Sequence, residues 1–258
     1  MNGDRDIVNL SGISDKTLVG KLLRLPLRFV PPDAVVPILQ GKLRGQKWIV
    51  GSGHHGCWLG SYEWDKRVAF EQVVGEGGVV FDIGAHVGFY TLLASVLVGA
   101  SGKVIAFEPA PRNVRYLQAH LRLNHVSNVE LIQAAVSDRI GVASFDESPA
   151  SSTGHLAAGG SLWVKTVTID QLVSAGEVPA PTCIKIDAEG AEALVLQGGK
   201  SVLSGLRPPI LLATHGSEVH RECCRLLRSL GYVLKPIAGL SVEETDEIIA
   251  FRSTDAHP

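Results

Sequence analysis

Val79–Ser95 reads VVFDIGAHVGFYTLLAS, and this stretch decides the fold. Its first five residues are apolar except for one acid, Asp82, the pattern of a strand covered on both faces. After Gly84-Ala85-His86-Val87-Gly88 the apolar residues change to helical spacing, with Tyr90, Leu93, Ala94 and Leu97 along one side. A buried strand that turns directly into an amphipathic helix is half of a βαβ unit. Packing alone does not ask for an acid and two glycines at that junction. A small ligand lodged against the turn does.

The same alternation continues downstream. GKVIAFEP, NVELIQAAV, TCIKID and PPILLATH read as further strands. Pro111 suits the first turn of a helix whose apolar side carries Val114, Leu117 and Leu121. Further helices are predicted near Ala191–Gln197 and along Val219, Cys223, Leu226, Leu227 and Leu230. YVLKPI and EIIAFRS follow one another without an intervening helix, which predicts a hairpin ending in an antiparallel edge strand. The rhythm implies an α/β protein with a mainly parallel sheet and helices on both faces. Right-handed crossovers then put a ligand site at the carboxyl ends of the strands.

Two regions break the rhythm. Residues 1–74 contain Pro26, Pro31, Pro32 and Pro37 and then GSGHHGCWLGSYEW, and read as an N-terminal extension or lid before a main domain at 75–258. Between 139 and 169, GVASFDES and SLWVKTVTI flank the loop PASSTGHLAAGG and predict an extra hairpin beside the sheet.

Composition bounds the function. With 45% hydrophobic and 19% charged residues, the chain of 258 can bury a sizeable core. A net charge of −2 gives no general attraction to nucleic acid or to an anionic membrane, so neither is expected as a partner. No apolar segment follows a basic start, so no signal peptide is expected, and no apolar run approaches the ~20 residues that span a bilayer. Cys57, Cys183, Cys223 and Cys224 form no CxxC pair and read as reduced thiols of a cytoplasmic protein. A homo-oligomer is compatible with all of this.

The turn is not a dinucleotide fingerprint, because G-x-G-x-x-G would need a glycine where His86 stands. What remains is Asp82-x-Gly84-x-x-x-Gly88. Gly84 lets the backbone of Ala85 and His86 approach a ligand, Gly88 allows close packing of the helix start, and Tyr90 follows on its first turn. A diphosphate is repelled by Asp82. An amino-acid moiety is not, since its ammonium meets the acid and its carboxylate the helix start. This favours S-adenosylmethionine over NAD, the cofactor of the alternative dehydrogenase reading. Glu108, followed by Pro109, ends the second strand 26 residues after Asp82 and can accept hydrogen bonds from both ribose hydroxyls. Ala135, Val136, Ser137 and Asp138 end the third and can hold an adenine edge.

FDIGAHVGFYTLLAS, VIAFEPAPRNVRYL, AAVSD and CIKIDAEGAEALVLQGG, in this order over residues 79–215, resemble the FkbM-like family of S-adenosylmethionine-dependent methyltransferases. The resemblance implies a Rossmann-like class I fold with a seven-stranded sheet and methylation of a hydroxyl oxygen; it does not fix the acceptor, which is expected to be a small molecule, a sugar or specialised metabolite. It implies cofactor contacts for Asp82, Gly84, Gly88, Glu108 and Asn113, and a role for the carboxylates Asp187, Glu189 and Glu192 of the fourth strand. His86 stands where asparagine is common and Ala188 where valine is common. A non-catalytic protein that kept the cofactor site is the remaining alternative.

On the acceptor side, Asp187 and His215 lie at neighbouring strand ends, and either can serve as the base that takes a hydroxyl proton. An unperturbed histidine, with a pKa of ~6.5, suits that work at neutral pH. Glu189, Trp58 and Tyr62 are expected to touch the acceptor, with Trp64 and either His54 or His55 nearby, although the aromatics also suit the core of the N-terminal segment. Glu192 reads as a helix-surface acid or the partner of a basic group. Magnesium held by Asp187, Glu189 and His215 is the lesser alternative, since no compact metal-ligand motif occurs, and no residue is assigned to a metal.

Overall fold

The structure, a computed structural model, describes residues 25–146, 155–156, 162–239 and 241–252. The first 24 residues and most of the loop PASSTGHLAAGG lie outside them. Strands β1 (Val35–Pro37) and β2 (Lys47–Ile49) pair antiparallel, and helices α1 (His55–Leu59) and α2 (Trp64–Val73) follow. The expected alternation then runs through β3 (Val79–Ile83), α3 (Phe89–Val98), β4 (Lys103–Phe107), α4 (Pro111–Leu123) and β5 (Val129–Ile132). A side branch holds β6 (Ala135–Val136), β7 (Gly141–Asp146), β8 (His155–Leu156) and β9 (Leu162–Val167). The second half holds α5 (Ile169–Ser174), β10 (Cys183–Asp187), α6 (Glu192–Gln197), α7 (Lys200–Gly205), β11 (Ile210–Ala213), α8 (Ser217–Ser229), β12 (Tyr232–Pro236) and β13 (Glu247–Arg252).

The main sheet has seven strands in the order β12-β13-β11-β10-β3-β4-β5. β11, β10, β3, β4 and β5 are parallel, and β13 runs antiparallel to both of its neighbours. The terminal strand is therefore not an edge strand, as the hairpin reading expected. It is inserted between β11 and β12, and β12 forms the edge. Ile248 and Ala250 on β13 are buried, which an edge position would not require. The expected third strand also divides. Val129–Ile132 stays in the main sheet, while Ala135–Val136 pairs with β9 in the smaller sheet β6-β9-β7-β8. There β7 and β9 form the antiparallel pair expected beside the main sheet.

Side-chain alternation builds one core on each face. Phe81, Ile83, Ile105, Phe107, Ile184 and Ile186 point to the face covered by α6, α7 and α8. Val80, Val104, Cys183 and Leu211 point to the other, where α3 packs with Trp48, Trp58 and Phe70 of the N-terminal segment. That segment thus shares its core with the sheet. No helix among the described residues is long and apolar enough to cross a membrane.

Candidate active site

The carboxyl ends of β3, β4 and β10 open into a cavity of about 460 Å³. Its floor is the turn after β3. Gly84 sits at φ +73°, and a Cβ there would lie 1.8 Å from the carbonyl oxygen of Asp187, so only glycine lets β3 and β10 close up at this point. The backbone amides of Gly84 and Ala85 both bond the carbonyl of Phe107, tying the turn to β4 as well. Gly88 begins α3 without a side-chain cap, and Phe89 and Tyr90 then enter the cavity wall.

Asp82 does not reach the cavity. It is fully buried, its Oδ2 accepts from Thr91 Oγ1 at 2.6 Å, and its Oδ1 lies 3.2 Å from Lys185 Nζ. Lys185 donates in turn to the carbonyl of Gly84 at 2.8 Å. The acid expected to meet the ligand instead holds the lysine that holds the turn. Lys185 was not anticipated from the sequence, yet its signal is visible. An ammonium in mid-strand, on a strand buried on both faces, has to find anions, and Asp82 and Asp187 flank it.

Glu108 lies in the cavity wall with its carboxylate gripped from behind. Oε2 accepts from the His86 amide at 2.8 Å, and Oε1 from the Ala110 amide at 2.9 Å and Asn113 Nδ2 at 3.2 Å. Burial pushes its pKa up, and these hydrogen bonds work against that rise. Ala85, His86, Pro109, Asn113, Ala135 and Val136 also line the cavity. Ser137 does not. Its amide bonds Val167 across the small sheet, and with Asp138 it faces a separate surface groove.

At the other end, Asp187 and Glu189 form the wall, and His215 stands beside them. The two oxygens of Asp187 divide their partners. Oδ2 takes Lys66 Nζ at 3.2 Å and Lys185 at 3.9 Å, whereas Oδ1 faces His215 Nε2 at 3.8 Å. Burial opposes its charge, but the two lysines and His215 hold its pKa below the usual carboxylate range. His215 Nδ1 bonds Glu192 Oε1 at 2.9 Å, and its Nε2 lies 3.3 Å from Glu189 Oε2. The bond to Glu192, followed by the fields of Glu189 and Asp187, raises the histidine to about 9. Its carboxylate surroundings thus move His215 above the ordinary value expected for a neutral-pH base and favour its protonation. Glu192 is not on the surface. It is fully buried, and its Oε1 also accepts from the amides of Ala188 and Gly190.

Lys66 was likewise unforeseen. It comes from α2, is buried, and lies 2.6 Å from Glu63 and 3.0 Å from Glu247 as well as on Asp187. Burial disfavours its charge, but Asp187, Glu63 and Glu247 outweigh that and hold its pKa above the lysine range. Glu63 is three residues away, but Asp187 is 121 residues away on β10 and Glu247 lies on the last strand, so the local pair alone does not announce the site. From the N-terminal segment Gly53, His54 and Tyr62 reach the cavity. Trp58 does not: it is buried in the core, and its indole N–H donates to His55 Nδ1. Arg112 also lines the wall, its guanidinium carbon 5.1 Å from the centre of the Tyr116 ring.

Residues 82–234 match the family described as the methyltransferase FkbM domain. A curated relative, the hexuronic acid methyltransferase AglP of Haloferax volcanii, is 30% identical over 182 residues, which is 70% of this chain and 73% of the relative. Among solved structures, the methyltransferase FkbM from Methylobacillus flagellatus KT superposes with a TM-score of 0.50 at 19% identity, over 72% of this chain. The match spans half the length of that structure, 50%.

Proposed function

The chain belongs to the FkbM methyltransferase family and is an S-adenosylmethionine-dependent methyltransferase, and on that premise we propose that it methylates an oxygen of a small sugar-like acceptor. The observation that carries this reading is one cavity with two unlike ends. One end offers the glycine turn and the Glu108 carboxylate, the other the polar group of Asp187, Glu189 and His215. Its volume of about 460 Å³ lies in the range of small-molecule sites.

The residues present fit the cofactor. The Gly84 turn leaves bare backbone at the floor, and Glu108 keeps lone pairs for a ribose diol although three donors already steady it. Ala135 and Val136 would border the adenine, and Tyr90 and Asp187 the methionine part. When bound, S-adenosylmethionine supplies a methyl group already activated by its sulfonium. The chain then has to exclude water and align the acceptor oxygen. Asp187 Oδ1 can accept the acceptor hydroxyl, and His215, when protonated, donates rather than accepts. These two orient more than they deprotonate.

Residues 1–74 serve in this reading as the cover and 75–258 as the methyltransferase domain. Supporting this, His54 and Tyr62 reach the cavity from the described part of that segment. A cytoplasmic setting agrees with Cys57, Cys183, Cys223 and Cys224, all buried and unpaired. The relative's name directs the first choice of acceptor to hexuronic acids and glycans that contain them. The test is incubation with methyl-labelled cofactor and those acceptors, read by mass spectrometry. A labelled sugar is the expected product, and its survival in mild alkali marks an ether on a hydroxyl rather than an ester on the carboxylate. Cofactor binding without labelling of any sugar acceptor overturns the reading.

A further inference from the structure

β10 and β11 are neighbours in parallel register, with Asp187 opposite Ala213. Residues just past their ends therefore rise at the same edge of the sheet. Asp187, Glu189 and His215 do so, and one ligand-type atom from each lies within 4.8 Å of the others. Metal–ligand bonds of about 2.0–2.2 Å place neighbouring donors about 3–4.4 Å apart, so the three are nearly at coordination spacing. His215 Nε2 is 3.3 Å from Glu189 Oε2 and 3.8 Å from Asp187 Oδ1.

The support behind these atoms is built. Glu192, fully buried, accepts from Nδ1 of His215 and leaves Nε2 as the atom turned towards the two carboxylates. Two backbone amides fix Glu192 in place, and its second oxygen has no hydrogen-bond partner among the described residues. A carboxylate behind an imidazole is the usual means of orienting a metal-bound histidine. Lys66 and Lys185 both approach Oδ2 of Asp187 and leave Oδ1 on the histidine side.

We propose that Asp187 Oδ1, Glu189 and His215 Nε2 bind one divalent cation at the acceptor end of the cavity, with Glu192 orienting the histidine. The donor set selects the metal. An imidazole with two carboxylates suits Mn²⁺, Co²⁺ or Zn²⁺ better than Mg²⁺, which prefers all-oxygen ligands and keeps its waters. The open side of the cation faces the cavity, where it would hold an oxygen of the acceptor and polarise it. That last role rests on the function proposed above; the presence of the site does not.

Titration of the metal-stripped full chain with Co²⁺ tests the site directly, by calorimetry and by the visible absorption of the bound ion. One Co²⁺ per chain is expected, bound at least tenfold tighter than Mg²⁺. Glu189→Gln and His215→Ala should each weaken it by more than tenfold, and Glu192→Gln by roughly 10–100-fold. His55→Ala should leave it unchanged, and all the variants should keep their affinity for S-adenosylhomocysteine. Absence of saturable Co²⁺ binding, or binding indifferent to Glu189→Gln and His215→Ala, overturns the proposal. Co²⁺ bound as expected while no sugar is methylated leaves the site standing and removes the function. Full methyl transfer by a chain that binds no metal does the reverse.

Discussion

Trp48 lies flat on His120, with ring centroids 3.9 Å apart and planes 14° from parallel. The pair joins the N-terminal segment to α4, and both imidazole nitrogens are committed. Nε2 accepts the Ile49 amide at 3.1 Å, which leaves Nδ1–H to donate to the Val87 carbonyl at 2.8 Å. Val87 belongs to the cavity turn, so one neutral histidine couples the N-terminal segment to the floor of the cavity.

Burial lowers His120 to about 4. The folded chain therefore leaves it neutral where an unfolded histidine, at ~6.5, takes up a proton. Between those values the unfolded state binds more protons, so stability falls as the pH drops from about 6.5 to about 4, by up to about 3 kcal/mol from this group. Denaturant unfolding of the wild type and of His120→Gln across this range checks it. The variant should show the shallower pH dependence, whatever its absolute stability.

Lys66→Met removes a cation shared by Glu63, Asp187 and Glu247. Breaking such a buried network costs about 3 kcal/mol or more. Asp187 also loses a charge that holds its pKa down, so the acid limb of the kcat/KM profile should move to higher pH. Lys66→Arg should restore most of the stability and return the limb towards its original position. A melt combined with a pH–rate profile separates this from a purely structural role, which would lower stability and leave the limb in place.

Glu108→Gln keeps the shape of the side chain but removes its charge from the cavity wall. Hydrogen bonds to charged groups contribute roughly 1.5–3 kcal/mol. Affinity for S-adenosylhomocysteine should therefore fall by at least about tenfold in calorimetry. Unchanged affinity would refute the ribose assignment.

Gly84→Ala and Gly190→Ala should differ sharply. Both glycines have positive φ, +73° and +97°. At Gly190 a Cβ meets nothing within 4 Å, so the cost is backbone strain alone, about 1 kcal/mol. At Gly84 the Cβ would meet Asp187 O at 1.8 Å, and β3 and β10 would have to separate. The first change should remove cofactor binding and lower the unfolding midpoint by several times as much as the second.

The strand–turn–helix at Val79–Val98, Glu108 at the next strand end and Asp187 at the fourth could be read from the chain because each depends on local period and on position along one strand. The insertion of β13 could not, since a strand pattern carries no record of which neighbour it will join. Lys66 was hidden for the same reason, two of its three anions being brought in from distant strands. His215 and Glu192 were legible as residues but not as a pair. Their coupling follows from the lateral alignment of β10 with β11 and of α6 above them, and it moves the histidine away from the ordinary value that a sequence supplies.

The placement of β13 has a consequence for closure of the sheet. β11 and β12 both precede in the chain the segment that separates them, so the sheet closes only when Glu247–Arg252 is in place. The same six residues bring Glu247, the third anion on Lys66. The strand that closes the sheet therefore also completes the set of anions around Lys66, the lysine that holds Asp187.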